Sequence, residues 1–301
     1  MVTWTLRALA ILACVVAAAP SLAAERTFDE RFNAPPGGQL IVNADTGGVV
    51  VAGHDSRELT VHAQMSGTSE FLARLEVSAV QSATGVTVTA RLTRRNWFDW
   101  FMWGTQRVHF MIEVPRDYPV DVNTSGGGID VTHLKAALHA RTSGGGIELH
   151  DVVGSIDTRT SGGGIRATQL DGPTVLHTSG GSIVVDHATG ELEVRTSGGG
   201  IHLDDIDGRV TATTSGGGVT AVMRSNRGIS LRTSGGGISL LLPASVHASI
   251  DAHTSGGHAV SAIPLSTTEI AERNWLRGTI NGGGQPIVLR TSGGGIRIAA
   301  D

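Results

Sequence analysis

The stretch Thr142-Ser143-Gly144-Gly145-Gly146-Ile147 decides the fold, because its first four residues recur nine times along the 301-residue chain. The first six serines of these repeats are 18 residues apart, and the later gaps are 19, 21 and 37 residues. A fixed period of this size is typical of folds built from stacked repeats. The repeat serines are Ser125, Ser143, Ser161, Ser179, Ser197, Ser215, Ser234, Ser255 and Ser292.

Around each repeat, side chains alternate between apolar and polar. Leu138 and Thr142 bracket polar neighbours before the glycines of one repeat, and Ile147 and Leu149 do the same after them. Because a strand points successive side chains to opposite faces, each repeat contains two half-buried strands. The sequence therefore predicts an all-β fold. It is a single-chain β-solenoid with about 18 residues, two strands and two glycine turns per coil.

Equivalent positions of successive coils should stack into ladders. We expect the glycines to supply backbone angles closed to other residues. The threonine hydroxyls should bond to one another or to the turn backbone, and the last repeat should expose an edge that Arg297 and Asp301 blunt. The expected inward ladder consists of Ile129, Ile147, Ile165, Ile183, Ile201, Val219 and Ile238.

Three segments are expected along the chain. Residues 1–24 are predicted to be a signal peptide, since Arg7 precedes an apolar run and small residues follow it. Residues 25–120 form a β region with degenerate repeats and a tryptophan-rich hairpin, packed on the solenoid. Residues 121–301 carry the regular repeats, with an insertion near 264–280 that is expected to hold one helical turn. The protein is thus predicted to be exported, either to the periplasm or, as a secreted protein, to the medium or the cell surface.

The amino-acid composition limits the kinds of functional site and partner that can be expected. The lone cysteine, Cys14, lies inside the predicted signal peptide, so the exported chain has no thiol; a lipoprotein is the less favoured alternative. The net charge is −4 with both signs interspersed, which gives no reason to expect a nucleic-acid partner. The 12 histidines show no metal-ligand spacing, and no cofactor is expected.

An aromatic segment interrupts the pattern at residues 96–104, which we call the tryptophan segment. It contains three of the five tryptophans in a chain that is only 4% aromatic. An exposed cluster of this kind is a candidate contact for a partner, whereas a buried one would cover the open end of the solenoid. The candidate contact residues are Trp97, Phe98, Trp100, Phe101 and Trp103.

Basic residues recur at the position directly before the Thr-Ser pair of several repeats, and we call this set the basic stripe. Such a stripe is a candidate site for an anionic polymer. Asp157, Glu193 and Asp251 lie two positions earlier in equivalent repeats, so a self-paired, solvated face is the favoured interpretation. The arginines of the stripe are Arg141, Arg159, Arg195, Arg232 and Arg290.

Catalysis is not predicted. The glycines are followed by Ile or Val, whereas a P-loop requires Lys and Ser or Thr. A nucleophilic serine needs a base within reach, and nine equivalent corner serines do not point to one. The position of Asp130 becomes Glu148 and Arg166 in the next repeats, which is incompatible with a ladder of calcium ligands. No candidate catalytic, cofactor or metal residue emerges.

Several features together resemble a known family. They are the Leu40-x-Val42-x-Ala44-x-Thr46-Gly47 segment, Ile112-x-Val114-Pro115, the Thr-Ser-Gly-Gly-Gly-Ile repeats with Asp-Gly turns, and residues 278–284 before a last repeat. In this order they resemble the bacterial "putative adhesin" domains, a family of unknown function found in exported proteins.

The resemblance implies a β-solenoid in the cell envelope, and implies adhesion through the family's label alone. The expected function is a non-enzymatic, adhesin-like binding or interaction module. The alternatives are a periplasmic scaffold or envelope-stress component with a protein partner and, less favoured, a polysaccharide-active β-helix enzyme. The candidate partners are envelope polysaccharide, a membrane surface or a protein.

Overall fold

The computed structural model describes residues 24–93 and 106–301. Within these ranges the protein is all-β: 25 strands belong to one hydrogen-bonded, solenoid-like sheet, accompanied by one short helix. The N-terminal elements are β1 (Ala24–Asn33), β2 (Gln39–Ala44), β3 (Gly48–His54), β4 (Glu58–Gly67), α1 (Ser69–Arg74), β5 (Leu75–Ser82), β6 (Gly85–Leu92) and β7 (Arg107–Pro115).

The central elements are β8 (Val120–Thr124), β9 (Ile129–Leu134), β10 (Leu138–Thr142), β11 (Ile147–Val153), β12 (Ile156–Thr160), β13 (Ile165–Asp171), β14 (Thr174–Thr178), β15 (Ile183–Arg195), β16 (Ile201–Thr213), β17 (Val219–Met223), β18 (Ile229–Thr233) and β19 (Ile238–Leu242). The last are β20 (Ala248–Thr254), β21 (Ala259–Ser261), β22 (Thr267–Ala271), β23 (Trp275–Ile280), β24 (Gln285–Thr291) and β25 (Ile296–Ala300).

Two rows of parallel strands form the two faces of the solenoid. Face A contains the strands that lead into a serine corner, such as β8, β10 and β12, and face B contains those that leave it, such as β9, β11 and β13. β15 and β16 are long enough to contribute to both faces. The inner side chains of the two faces meet in one hydrophobic core.

The expected inward ladder is confirmed. The seven residues from Ile129 to Ile238 that define it each have at most 2% of their surface exposed. Strand pairing places them directly beside one another, as Ile147 between Ile129 and Ile165 illustrates. Glu148 and His150, which alternate with this ladder, are exposed. Burial on one side and solvent on the other is what the alternating pattern predicts.

The order of the coils in space differs from their order in the chain at both ends. β6 and β7 lie outside β2 and β3, although they follow them in sequence. β24 and β25 lie between β18–β19 and β20–β21. The expectation that the last repeat exposes an edge is therefore wrong, because β25 has a hydrogen-bonded neighbour on each side.

Antiparallel strands close the two ends of the stack. At the N-terminal end β4 pairs with β7 and β1, and β5 pairs with β6. At the C-terminal end β23 pairs with β20 and with β22. The insertion after Pro264 is thus a β-hairpin and not the helical turn expected from its charged residues. The described helix is α1, capped by the Thr68 hydroxyl, which accepts a hydrogen bond from the Phe71 amide.

The threonine at each serine corner bonds to turn backbone. Thr142 Oγ1 donates to the Gly127 carbonyl of the preceding corner at 2.7 Å and accepts from the Gly145 amide at 3.3 Å. Thr160 repeats this arrangement with Gly145 and Gly163. The sequence predicts that the threonine hydroxyls bond either to one another or to the turn backbone, and in the structure they bond to the backbone. Each bond to a glycine carbonyl links one corner to the preceding one.

The corner glycines are needed for close approach. A Cβ on Gly163 would collide with the carbonyl group of Gly145 directly beneath it. The expectation of unusual backbone angles is wrong here: within the described residues, positive φ occurs at Gly47 but at none of the glycines following the nine repeat serines. The third corner position is less restricted, since it holds Ser182 and His258 in two repeats.

Gly163→Ala should destabilise the protein by about 1–3 kcal/mol, because the new methyl group overpacks the stacked corners. Gly162→Ala is the matched control, since its Cβ would lie 3.3 Å from the Gly144 carbonyl oxygen. Urea unfolding of both variants measures the effect. Equal stability of the two variants would contradict a close-approach role for the middle glycine.

Thr160→Val should lower the free energy of unfolding by about 1–3 kcal/mol, since it leaves the Gly145 carbonyl without its partner. Thr158 lies two residues earlier on the same strand and is fully buried, but its hydroxyl has no partner among the described residues. Thr158→Val should therefore leave stability unchanged or raise it by about 1 kcal/mol. A comparable loss in both variants, measured by urea unfolding, would show that hydrogen bonding at the corner is not the cause.

Candidate functional site

Strand pairing gathers the basic stripe into one column on the outer side of face A, which we call the arginine column. Arg141 lies opposite Arg159, Arg159 opposite His177, and His177 opposite Arg195. Parallel strands in register place these side chains about 4.8 Å apart. In spatial order the column consists of Asn43, Asn123, Arg141, Arg159, His177, Arg195, Thr213, Arg232, Arg290 and His253.

The end of the column depends on the inserted coil. In the chain, His253 follows Arg232, but in space Arg290 lies between them because β24 pairs with both β18 and β20. Arg232 and Arg290 are therefore neighbours. Sequence spacing alone does not reveal this pair, since the two arginines belong to repeats that are not consecutive.

A shallow groove of about 540 Å³ runs along the first part of the arginine column. It is lined by Arg141, Arg159 and His177, and also by the hydroxyl-bearing residues of the adjacent serine corners. Those serines are Ser125, Ser143, Ser161 and Ser179, all exposed. The groove thus combines cationic groups with a row of hydroxyl groups.

Most arginines of the column have an acidic partner. Asp157 accepts from Arg159 Nε at 3.1 Å and from Arg141 Nη2 at 3.4 Å. Glu193 pairs with Arg195 at 2.7 Å. These side chains are largely exposed, with 44% and 54% of the Arg141 and Arg159 side-chain surfaces in solvent. Pairs of this kind contribute little stability, so an incoming anion can compete for the guanidinium groups.

The carboxylates that pair with the arginines of the column do not belong to the groove lining. Asp157 does not line it, although it bonds to two arginines that do. Asp45 is the acid that lines the groove, and its carboxylate already accepts a hydrogen bond from the Leu92 amide at 3.0 Å. The groove is therefore lined by Arg141 and Arg159 without the carboxylate that pairs with them.

Arg232 differs from the other four arginines. It is exposed and makes no ion pair within the part of the chain that the structure describes. Its ladder neighbours are Thr213 and Arg290, and Ser230 occupies the position where other repeats have an acid. Its guanidinium group needs no displacement of a carboxylate before it can bind an anion.

An aromatic side chain ends the column. Trp275, on β23, lies opposite His253. The two rings make an edge-on contact, with their centroids 5.8 Å apart. Its indole Nε1 donates to Asp251 at 3.1 Å. Trp275 could not be identified from the sequence, because nothing in the irregular segment 264–280 indicates that β23 folds back antiparallel against β20.

Asp251 joins Trp275 to the column, since its other carboxylate oxygen accepts from Arg290 Nη2 at 2.5 Å. This bond to Arg290 lowers the pKa of Asp251 below its ordinary value of 3.8, partial burial opposes the shift, and the hydrogen bond from Trp275 adds to the lowering. The carboxylate is therefore ionised at neutral pH and holds both neighbours in place.

The tryptophan segment lies outside the described residues, as do residues 1–23 of the predicted signal peptide. Its five candidate contact residues, Trp97 to Trp103, stay a prediction from sequence. In residues 24–93 and 106–301, no group of three or more His, Cys, Asp or Glu side chains is arranged to hold a metal ion.

A family model described as Toastrack DUF4097 matches residues 39–299. The chain belongs to the Toastrack DUF4097 family. This is a domain family of unknown function, and the resemblance to exported "putative adhesin" domains is confirmed at that level. Among curated proteins, none matches this Toastrack chain.

Solved structures are also similar to the Toastrack chain. One is a "putative lipid binding protein" from Parabacteroides distasonis ATCC 8503, with 13% identity, a TM-score of 0.49, and coverage of 92% of this chain and 96% of that one. Another is a "putative adhesin" from Parabacteroides merdae ATCC 43184, with 9% identity, a TM-score of 0.45 and the same two coverages. A "putative adhesin" from P. distasonis ATCC 8503 has 10% identity, a TM-score of 0.41, and coverages of 92% and 97%.

In this Toastrack protein, Asp251→Asn should lower the thermal midpoint at neutral pH but not in acid. A carboxylate whose pKa is lowered by folding stabilises above its ordinary pKa, and the contribution is lost as pH falls through the lowered value. The difference in thermal midpoint between the wild type and the Asp251→Asn variant should thus become smaller below about pH 4. Asp204→Asn, at an exposed site, is the control; a difference for Asp251→Asn that is constant with pH would contradict the ion pair's role.

Proposed function

We propose that the protein is a non-enzymatic, exported binding module of the cell envelope that holds an extended ligand along the arginine column. The observation that carries this proposal is the groove in which Arg141, Arg159 and His177 line up beside exposed corner serines. Guanidinium groups present a planar fork of donors that matches carboxylate and phosphate oxygens. An anionic ligand is therefore the best match to the groove.

The rigidity of the sheet supports the same conclusion. Each member of the column stands on a strand with hydrogen-bonded neighbours, and the flanking residues on that strand are buried, as Ala140 and Thr142 are around Arg141. Groups held by strands keep their spacing more accurately than groups on loops. A ligand with a matching repeat therefore meets preorganised partners and loses less conformational freedom on binding.

Export and organisation complete the proposal. Residues 1–24 act as a signal peptide, which places the protein in the periplasm or at the cell surface. Residues 25–120 cap regular coils of about 18 residues, each with two strands and two glycine turns, in residues 121–301. Among the described residues, none forms a helix of the length and apolarity that crossing a bilayer requires.

A second function is a periplasmic scaffold or envelope-stress component with a protein partner. The observation that favours it is the concentration of three of the five tryptophans in residues 96–104. Aromatic side chains are enriched at the centres of protein interfaces. This function places the contact on the tryptophan segment and leaves the arginine column as solvated surface.

Cosedimentation with isolated envelope material tests the two functions. Arg141→Gln/Arg159→Gln should weaken binding about tenfold or more, since each substitution removes a charge-assisted hydrogen-bonding group. Arg166→Gln/Arg297→Gln is the matched control, because it removes the same charge from exposed positions on face B. Retained binding in the column variant would refute the proposal, and loss confined to a folded Trp97→Ala/Trp100→Ala/Trp103→Ala variant would favour the protein-partner function.

A further inference from the structure

We infer that the ligand of the arginine column is an acidic polysaccharide with about one carboxylate per sugar unit, lying across the strands from the groove to Trp275. This inference rests on the proposed function and names its ligand class. It draws on the spacing of the column, the hydroxyl groups beside it and the indole at its end.

The spacing favours a polymer of sugar acids. The column offers one side chain per strand, and adjacent strands are about 4.8 Å apart. A sugar unit in an extended polysaccharide is similar in length to this separation, so each unit can meet an equivalent position of the next coil. Arg141, Arg159, His177 and Arg195 occupy four consecutive strands. A carboxylate on each unit would thus face a cationic or titratable group on each of these strands.

The serine corners favour a ligand that carries hydroxyl groups of its own. Ser125, Ser143, Ser161 and Ser179 line the groove with exposed hydroxyls, and none of these hydroxyls has a hydrogen-bond partner within the described ranges. A hydroxyl group both donates and accepts, and a sugar hydroxyl can complement it in either sense. A polyphosphate offers acceptors without a matching set of donors, and thus uses the corner less completely.

Trp275 favours sugar rings at the far end of the column. The indole is partly exposed, and its orientation is fixed by the hydrogen bond to Asp251 and by the edge-on contact with His253. A rigid indole supplies an apolar surface at small entropic cost, and the carbon-bound hydrogens of a sugar ring can pack on such a surface. A simple linear anion without rings gains nothing from this contact.

The length of the column sets the length of ligand that it can hold. Eleven adjacent strands, from β2 with Asn43 to β23 with Trp275, carry the column and the tryptophan at its end. The groove itself extends along five of them, from β2 with Asn43 to β14 with His177. A short oligomer can fill the groove without reaching Arg232 or Trp275, whereas a chain of about ten units reaches both.

Binding of defined oligomers to the full exported chain tests the inference. Polygalacturonate oligomers are the probe, and the same oligomers with methyl-esterified carboxylates are the matched neutral control. Affinity should rise with length up to about ten units and then level off. Esterification should weaken binding at least about tenfold, as should Arg141→Gln/Arg159→Gln, whereas Arg166→Gln/Arg297→Gln should leave it unchanged.

The far end has its own variants. Trp275→Leu and Arg232→Gln should each weaken binding of ten-unit oligomers several-fold and leave four-unit oligomers unaffected. Equal losses for both lengths would overturn the placement of the ligand along the column.

Two results separate this inference from the proposed function. If envelope binding depends on Arg141 and Arg159 but polygalacturonate binds no better than its ester, the proposed function stands and the ligand class is wrong. Polyphosphate that binds more tightly than polygalacturonate of equal length would likewise overturn the ligand class. If Arg141→Gln/Arg159→Gln changes neither envelope nor polygalacturonate binding, both proposals fail.

Discussion

The hydrogen bond from each corner threonine to the glycine carbonyl of the neighbouring corner is the contact that sets the position of everything else on face A. Thr160 donates to the Gly145 carbonyl and accepts from the Gly163 amide, so one hydroxyl fixes both its own turn and its distance to the turn beneath. The middle glycine is required for the same reason, since a side chain there would separate the corners. Once the corners are in register, the residue just before each threonine has no freedom to shift along the strand. The arginine column is therefore a result of corner packing, and its spacing is as regular as the corners are.

Much of the fold and of the arginine column could be predicted from the sequence, because an inference made for one repeat applies to the equivalent positions of the other repeats. Alternation around Ile147 identifies the buried ladder, and the position of Arg141 before Thr142 identifies an outward one. The rest depends on contacts between segments that carry no signal of their own. Nothing near Ile296 tells that β25 inserts between β19 and β21, because every coil presents the same edges and all pairings look alike. The hairpin of β22 and β23 contains charged residues at spacings that suit a helix, and its conformation is decided by the open edge of β20. The contacts of Trp275 with Asp251 and His253 follow from that hairpin and could not be found without it.

The ion pairs on face A leave the arginines of the column exposed beside the groove. Asp157 lies between Arg141 and Arg159 and bonds to both, but the groove beside the serines is lined by the arginines alone of these three. Exposed pairs of this kind are weak, so on the proposed function a ligand that brings several anionic groups at the correct spacing would displace them. Arg232 has no acidic partner in the described ranges, so a ligand at this position would not have to displace a carboxylate.

The coils at the two ends of the stack differ from the coils in the middle in the way they pair. β6–β7 and β24–β25 each lie between or against coils that are distant in the chain, so neither end can lose a coil without breaking contacts on both sides of it. The coils from β10 to β16 follow one another in simple order, and within the described residues each pairs with the coil before it and the coil after it. Duplication or deletion of one unit there would lengthen or shorten the column by a single step and leave both ends intact. The number of coils, and with it the length of the column, can thus change by whole repeats while the spacing between adjacent coils stays the same.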